Sequence, residues 1–131
     1  MNNQSLSTLV FIDTNVSNYQ ELMKGVHPLA DVVLIDSSKD GIEAITRELA
    51  KRQNLSNIQI LSHGSEGALN LGHTQLNAGN LQGYSGQLQQ WRGALAPGGD
   101  ILLYGCNVAS GSEGKSFVEE LSRIIGLDVA A

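Results

Sequence analysis

Four short apolar runs govern what this chain can fold into: Leu9 to Ile12, Val32 to Ile35, Ile58 to Leu61 and Ile101 to Tyr104. Each is rich in Val, Ile and Leu, and each is continuous rather than alternating. Continuous apolarity over strand-sized lengths belongs to strands covered on both faces, as in parallel sheets. The stretches between the runs carry apolar residues at helical spacing. Ser17 with Gln20 forms a capping-box pattern ahead of Leu22 and Met23, and Gly25 and Pro28 stop that short helix. A second helix is expected from near Ser38, with Ile42, Ile45 and Leu49 on one stripe, until Asn54 breaks it. A third places Leu81, Tyr84, Leu88, Trp91 and Leu95 on one stripe and ends at Pro97-Gly98-Gly99. A fourth starts near Glu113, turns Phe117, Leu121, Ile124 and Ile125 inward, and stops at Gly126. Val129 and its neighbours begin a fifth strand.

Strands alternating with helices predict an α/β fold with a mostly parallel sheet, right-handed crossovers and helices on both faces. One stretch breaks the pattern. Between Gly67 and Leu76, Leu69, Leu71 and Leu76 surround a Gly72-His73 pair, which predicts a small hairpin over the edge that carries His63.

With 131 residues, 41% hydrophobic and 16% charged, the chain has ordinary globular usage and length for one core. Its formal net charge is −5 and it has no run of Lys or Arg, which argues against a nucleic-acid partner. No apolar run approaches the length of about 18 residues that a membrane span needs, so the expectation is a soluble domain with no membrane partner. The first residues lack the basic start and apolar stretch of a secretory signal peptide.

In parallel sheets, ligands bind beyond the carboxyl ends of the strands. Ser62-His63-Gly64 closes the third run, and Tyr104-Gly105-Cys106-Asn107 closes the fourth. Neighbouring strands lie about 4.8 Å apart, so side chains from these two loops can meet. Cys106 is the sole cysteine and therefore the sole thiol. A thiolate nucleophile needs a partner that takes its proton and later protonates the leaving amine, and His63 has that chemistry. The N–H groups of Gly64 and Cys106 could together hold a tetrahedral oxyanion. Taken singly, a cysteine at a strand end reads as a small buried hydrophobe and a His-Gly pair as a turn. The three histidines, His27, His63 and His73, share no metal-ligand spacing, so neither metal nor other cofactor is expected. Ser62 and Ser65 lack a Gly-x-Ser-x-Gly elbow.

In combination, Ser62-His63-Gly64, the Leu69 to Leu76 hairpin and Tyr104-Gly105-Cys106 resemble the caspase-like cysteine peptidases, including clostripain, gingipain and separase relatives. A closer resemblance is to a bacterial family described as domain of unknown function 4347. It runs through Val10-Phe11-Ile12-Asp13, Asp40-Gly41, Ile60 to Gly64, Leu71-Gly72, Asp100 to Cys106 and Asp128 to Ala131. The resemblance implies a caspase-like three-layer sandwich over 1–131, with strand order 2-1-3-4 and the fifth strand beside the fourth, excised from the N-terminal part of a larger secreted or surface protein that carries cadherin-like or calcium-binding repeats. It implies an endopeptidase acting on a polypeptide substrate or on its own parent chain, with Cys106 as nucleophile and His63 as general base and acid. By similarity to basic-specific relatives, Asp13 or Asp36 would bind a Lys or Arg side chain of the substrate; the plain alternative is that each caps a turn. The rival reading is a non-catalytic binding or assembly module with an idle dyad.

Overall fold

The structure is a computed structural model and describes residues 8–25, 30–104 and 108–131. Its centre is a five-stranded sheet built from β1 (Thr8–Asp13), β2 (Asp31–Ile35), β3 (Leu55–Leu61), β7 (Leu95–Tyr104) and β8 (Val129–Ala130). All pairings in it are parallel, and the order is β2-β1-β3-β7-β8. Between β3 and β7 lie three short antiparallel strands, β4 (Gly64–Ser65), β5 (Ala68–Leu71) and β6 (Thr74–Asn77), which form a second sheet. The expected hairpin is therefore one strand larger, because Gly64 and Ser65 also fold back onto Leu69 and Ala68.

The helices are α1 (Tyr19–Lys24), α2 (Gly41–Leu49), α3 (Ser85–Trp91) and α4 (Gly111–Ile125). Strand order and handedness decide where they go. The step from β1 to β2 moves one way along the sheet, and the three later crossovers move the other way. Right-handed connections therefore send α1 to one face and α2, α3 and α4 to the opposite one. The three-helix face holds the main core. Leu9, Phe11, Ile58, Ile60, Ile101 and Leu103 meet Ile42, Ile45, Leu88, Trp91, Phe117 and Leu121, all buried. The α1 face is thinly covered: α1 has no buried residue, and Leu34 and Tyr104 stay 44% and 54% exposed. A cleft of about 560 Å³ lies there, between Leu22 of α1 and Val10, Gln59, Leu61 and Tyr104 of the sheet.

The local signals explain the helix ends. Asp40 caps α2 by accepting from the Ile42 and Glu43 N–H groups, so α2 starts later than Ser38, whose own N–H is taken by Asp36. Gly126, at φ 89°, ends α4 in the left-handed conformation that glycine tolerates. The third stripe does not make one long helix. It divides into a 3-10 turn at Leu81–Tyr84, α3 and a second 3-10 turn at Arg92–Ala94. Gly83, Gly86 and Gly93 weaken a continuous helix there. Leu95 instead pairs with Leu55 at the start of β7, and Pro97-Gly98-Gly99 fall in a bulged part of that strand.

Trp91 ties two helices together: its indole N–H donates to Thr46 Oγ1 at 2.8 Å, and that hydroxyl donates to the Ile42 carbonyl. Trp91→Phe should lower stability by about 1 kcal/mol for the lost bond, with a further loss from the smaller ring, measurable by urea unfolding.

Candidate functional site

His63 stands two residues past the end of β3, after Ser62, with β4 beginning at the next residue. The neighbouring β7 reaches the same edge, where Leu61 pairs with Tyr104 and Ser62 N–H donates to the Tyr104 carbonyl at 3.2 Å. Tyr104 precedes Cys106 by two residues; Gly105, Cys106 and Asn107 lie outside the described residues.

The imidazole of His63 is exposed, and its Nε2 lies 3.2 Å from the backbone carbonyl oxygen of Asn15, in the loop after β1. A carbonyl oxygen only accepts, so this hydrogen bond requires the proton on Nε2. In the neutral ring the lone pair then sits on Nδ1, the nitrogen free to take a proton. The hairpin holds the His63 backbone as well, through Asn70 N–H donating to the His63 carbonyl at 2.9 Å. That bond makes Gly64 and Leu69 a non-hydrogen-bonded pair, so the amide of Gly64 is directed away from β5.

Asp13 ends β1 and Asp36 directly follows β2 at this edge, and both engage backbone amides. Asp13 has no exposed surface. Its Oδ1 accepts from Asn15 N–H at 2.9 Å and its Oδ2 from Gly72 N–H at 2.8 Å. Asp36 is exposed and accepts from the backbone N–H and the hydroxyl of Ser38, and these bonds, the backbone one foremost, hold its carboxyl below the usual carboxylate range. Asp36 caps a local turn through Ser38, and Asp13 caps one through Asn15 while also reaching the distant Gly72.

The sequence chain matches the profile of a family described as "Domain of unknown function (DUF4347)" over residues 9–131. The chain belongs to this family. No curated protein and no solved structure matches it.

Within this family member, two residues that the sequence did not assign to the site complete it. Asn15 supplies the carbonyl for His63, and its side-chain amide donates to the Gly72 carbonyl at 3.2 Å. Gly72 is the first residue of the two-residue turn between β5 and β6, at φ 63°. A Cβ on Gly72 would lie 2.0 Å from the Lys39 carbonyl oxygen, because the turn is pressed onto the loop between β2 and α2. His73 N–H donates to that same carbonyl at 2.9 Å. A strand followed by Asp-x-Asn was the available sign of an Asx turn; nothing local to Asn15 signals a contact with Gly72. Gly72→Ala should therefore cost more than the roughly 1–2 kcal/mol of left-handed strain alone, and thermal unfolding would register it.

A cleft of about 360 Å³ opens beside the ring, lined by Asn15, His63, Asn70, His73, Thr74 and Gln75 among others. Among the described residues no three His, Cys, Asp or Glu side chains gather as a metal site, and no helix is long and apolar enough to cross a membrane. His27 lies outside the described residues, as Cys106 does.

Proposed function

We propose that the domain is a caspase-like cysteine endopeptidase, a three-layer sandwich acting on a polypeptide substrate or on its own parent chain, within a secreted or surface protein. Cys106 is the nucleophile, and His63 is the general base and then the general acid. The observation that carries the reading is the Nε2 contact of His63 with the Asn15 carbonyl, which leaves Nδ1 as the proton acceptor at the sheet edge to which β7 brings Tyr104. Removal of the thiol proton by Nδ1 gives the thiolate that attacks the scissile carbonyl. The imidazolium, its Nε2–H still held by the Asn15 carbonyl, then gives the Nδ1 proton to the leaving amine as the C–N bond breaks, and water deprotonated by Nδ1 hydrolyses the resulting thioester to release the acid and restore the thiol. The N–H groups of Gly64 and Cys106 would stabilise the oxyanion formed between these steps.

Alkylation of the sole cysteine tests the proposal without knowledge of a substrate. An unassisted thiol reacts in step with an ionisation near about 8.5. The parent should alkylate with a midpoint well below this, and His63→Ala should return the profile to that of a free thiol. A parent whose thiol resists alkylation, or which already follows the free-thiol profile, would favour the idle module instead.

A further inference from the structure

Asp13 is a fully buried carboxylate that takes no part in the proposed proton transfers, and it sits one hydrogen bond away from the group that holds the histidine. Its Oδ1 binds the amide of Asn15, and the carbonyl of Asn15 is the group that meets His63 Nε2. Its Oδ2 binds the amide of Gly72, while the Asn15 side chain binds the carbonyl of the same glycine. From Gly72 the chain runs back along β5 to Asn70, whose N–H binds the His63 carbonyl. The bonds close a ring through three segments distant in sequence: the end of β1, the junction of β3 with β4, and the turn between β5 and β6.

We infer that Asp13 is a positioning residue, which acts through Asn15 to set the orientation and tautomer of His63 and which fastens the β5–β6 turn to the same point. The physical case rests on direction. The N–H and the carbonyl of Asn15 are separated only by that residue's own φ and ψ, so anchoring the N–H to a buried acceptor narrows the directions in which the carbonyl can point. A second tie, from the Asn15 side chain to Gly72, restricts the same residue from its other end. A carboxylate suits this place because it has only acceptors to offer, and both partners are donors. An asparagine would turn an amide NH2 toward one of two backbone N–H groups. The consequence for catalysis rests on the peptidase reading; the positioning of the ring does not.

The test is nitrogen NMR of His63 in the intact domain, held well above the imidazole titration range so that the ring is neutral. Long-range correlations from the ring carbon protons distinguish Nε2–H from Nδ1–H even when the labile proton exchanges quickly. In the parent, the two nitrogens should be widely split, with Nε2 the protonated one, beyond the splitting of a free histidine peptide. In Asp13→Asn they should draw together toward the free-peptide values. Asn15→Ala, which keeps the carboxylate and loses only the tie to Gly72, should shift them in the same direction by less. If Asp13→Asn does not fold, Asp13→Glu, which keeps the acceptors but displaces them by one methylene, takes its place. Unchanged splitting in a folded Asp13→Asn, or in Asp13→Glu when that is the only folded Asp13 variant, would overturn the inference and leave Asp13 a purely structural residue. A parent that splits its nitrogens as expected while its thiol stays inert would sink the peptidase reading and leave this one standing.

Discussion

Phe117→Ala should destabilise the domain by about 3–5 kcal/mol, the range for deleting a fully buried aromatic ring. Phe117 has no exposed surface and projects from α4 into the cluster that also holds Trp91, Leu121 and Ile101. The lost ring removes apolar surface from burial and leaves a cavity that the surrounding helices and sheet close only in part. Small domains are stable by only about 5–15 kcal/mol, so the variant would lose a large share of its folded margin. Urea unfolding would show a lowered midpoint with an unchanged slope. Glu119→Ala, on the exposed side of the same helix, should stay within about 0.5 kcal/mol of the parent. Equal midpoints for Phe117→Ala and the parent would mean that α4 does not pack by this face.

Cys106→Ala and His63→Ala should each abolish peptide cleavage by the protein that carries this domain. Nucleophile and base act as one unit, so the double variant should be no worse than the poorer single one. Loss of the general base alone should cost about 10²–10⁴-fold in rate. Cys106→Ser should also be nearly inactive, because a hydroxyl beside a histidine suited to a thiol stays protonated. The His63 variant should keep the parent's unfolding midpoint, since the ring is exposed beyond the end of β3 and contributes nothing to the core. Cleavage that persists in both folded alanine variants would remove the dyad from the reaction and leave a binding or assembly role as the better account.

The tension between these two results is instructive about how the molecule is divided. Phe117 belongs to the layer that holds the sheet together, and His63 to a rim assembled from loops. The rim depends on the hairpin, which is itself anchored by Leu69, Leu71 and Leu76 in the core. Substitutions in that anchor should therefore damage both stability and site, whereas truncating His63 should damage the site alone.

The parallel sheet was legible in the chain because its four main strands are continuous apolar runs, and the helix stripes of α2 and α4 showed because burial on one side imposes a 3.6-residue period. The stop at Gly126 and the turn at Gly72 were also local matters, since glycine marks the positive φ that each requires. The breakup of the third stripe was not legible, because Leu95 satisfies a helical spacing but is claimed by Leu55 in a neighbouring strand. Among the described residues one face of the sheet carries three helices and the other a single short one, an asymmetry that follows from the strand order combined with right-handed crossovers and that no individual segment encodes. The clearest division is at the site. His63, Asp13 and Asp36 could be chosen from sequence because strand ends collect functional groups. The turns that Asp13 and Asp36 make with Asn15 and Ser38 are local, but tertiary structure alone decided the rest: the bond from Gly72 to Asp13 joins residues 59 positions apart and the contact of His63 with Asn15 joins residues 48 apart. Residue type determines which groups can donate or accept; only the folded arrangement of strand ends determines which of them meet.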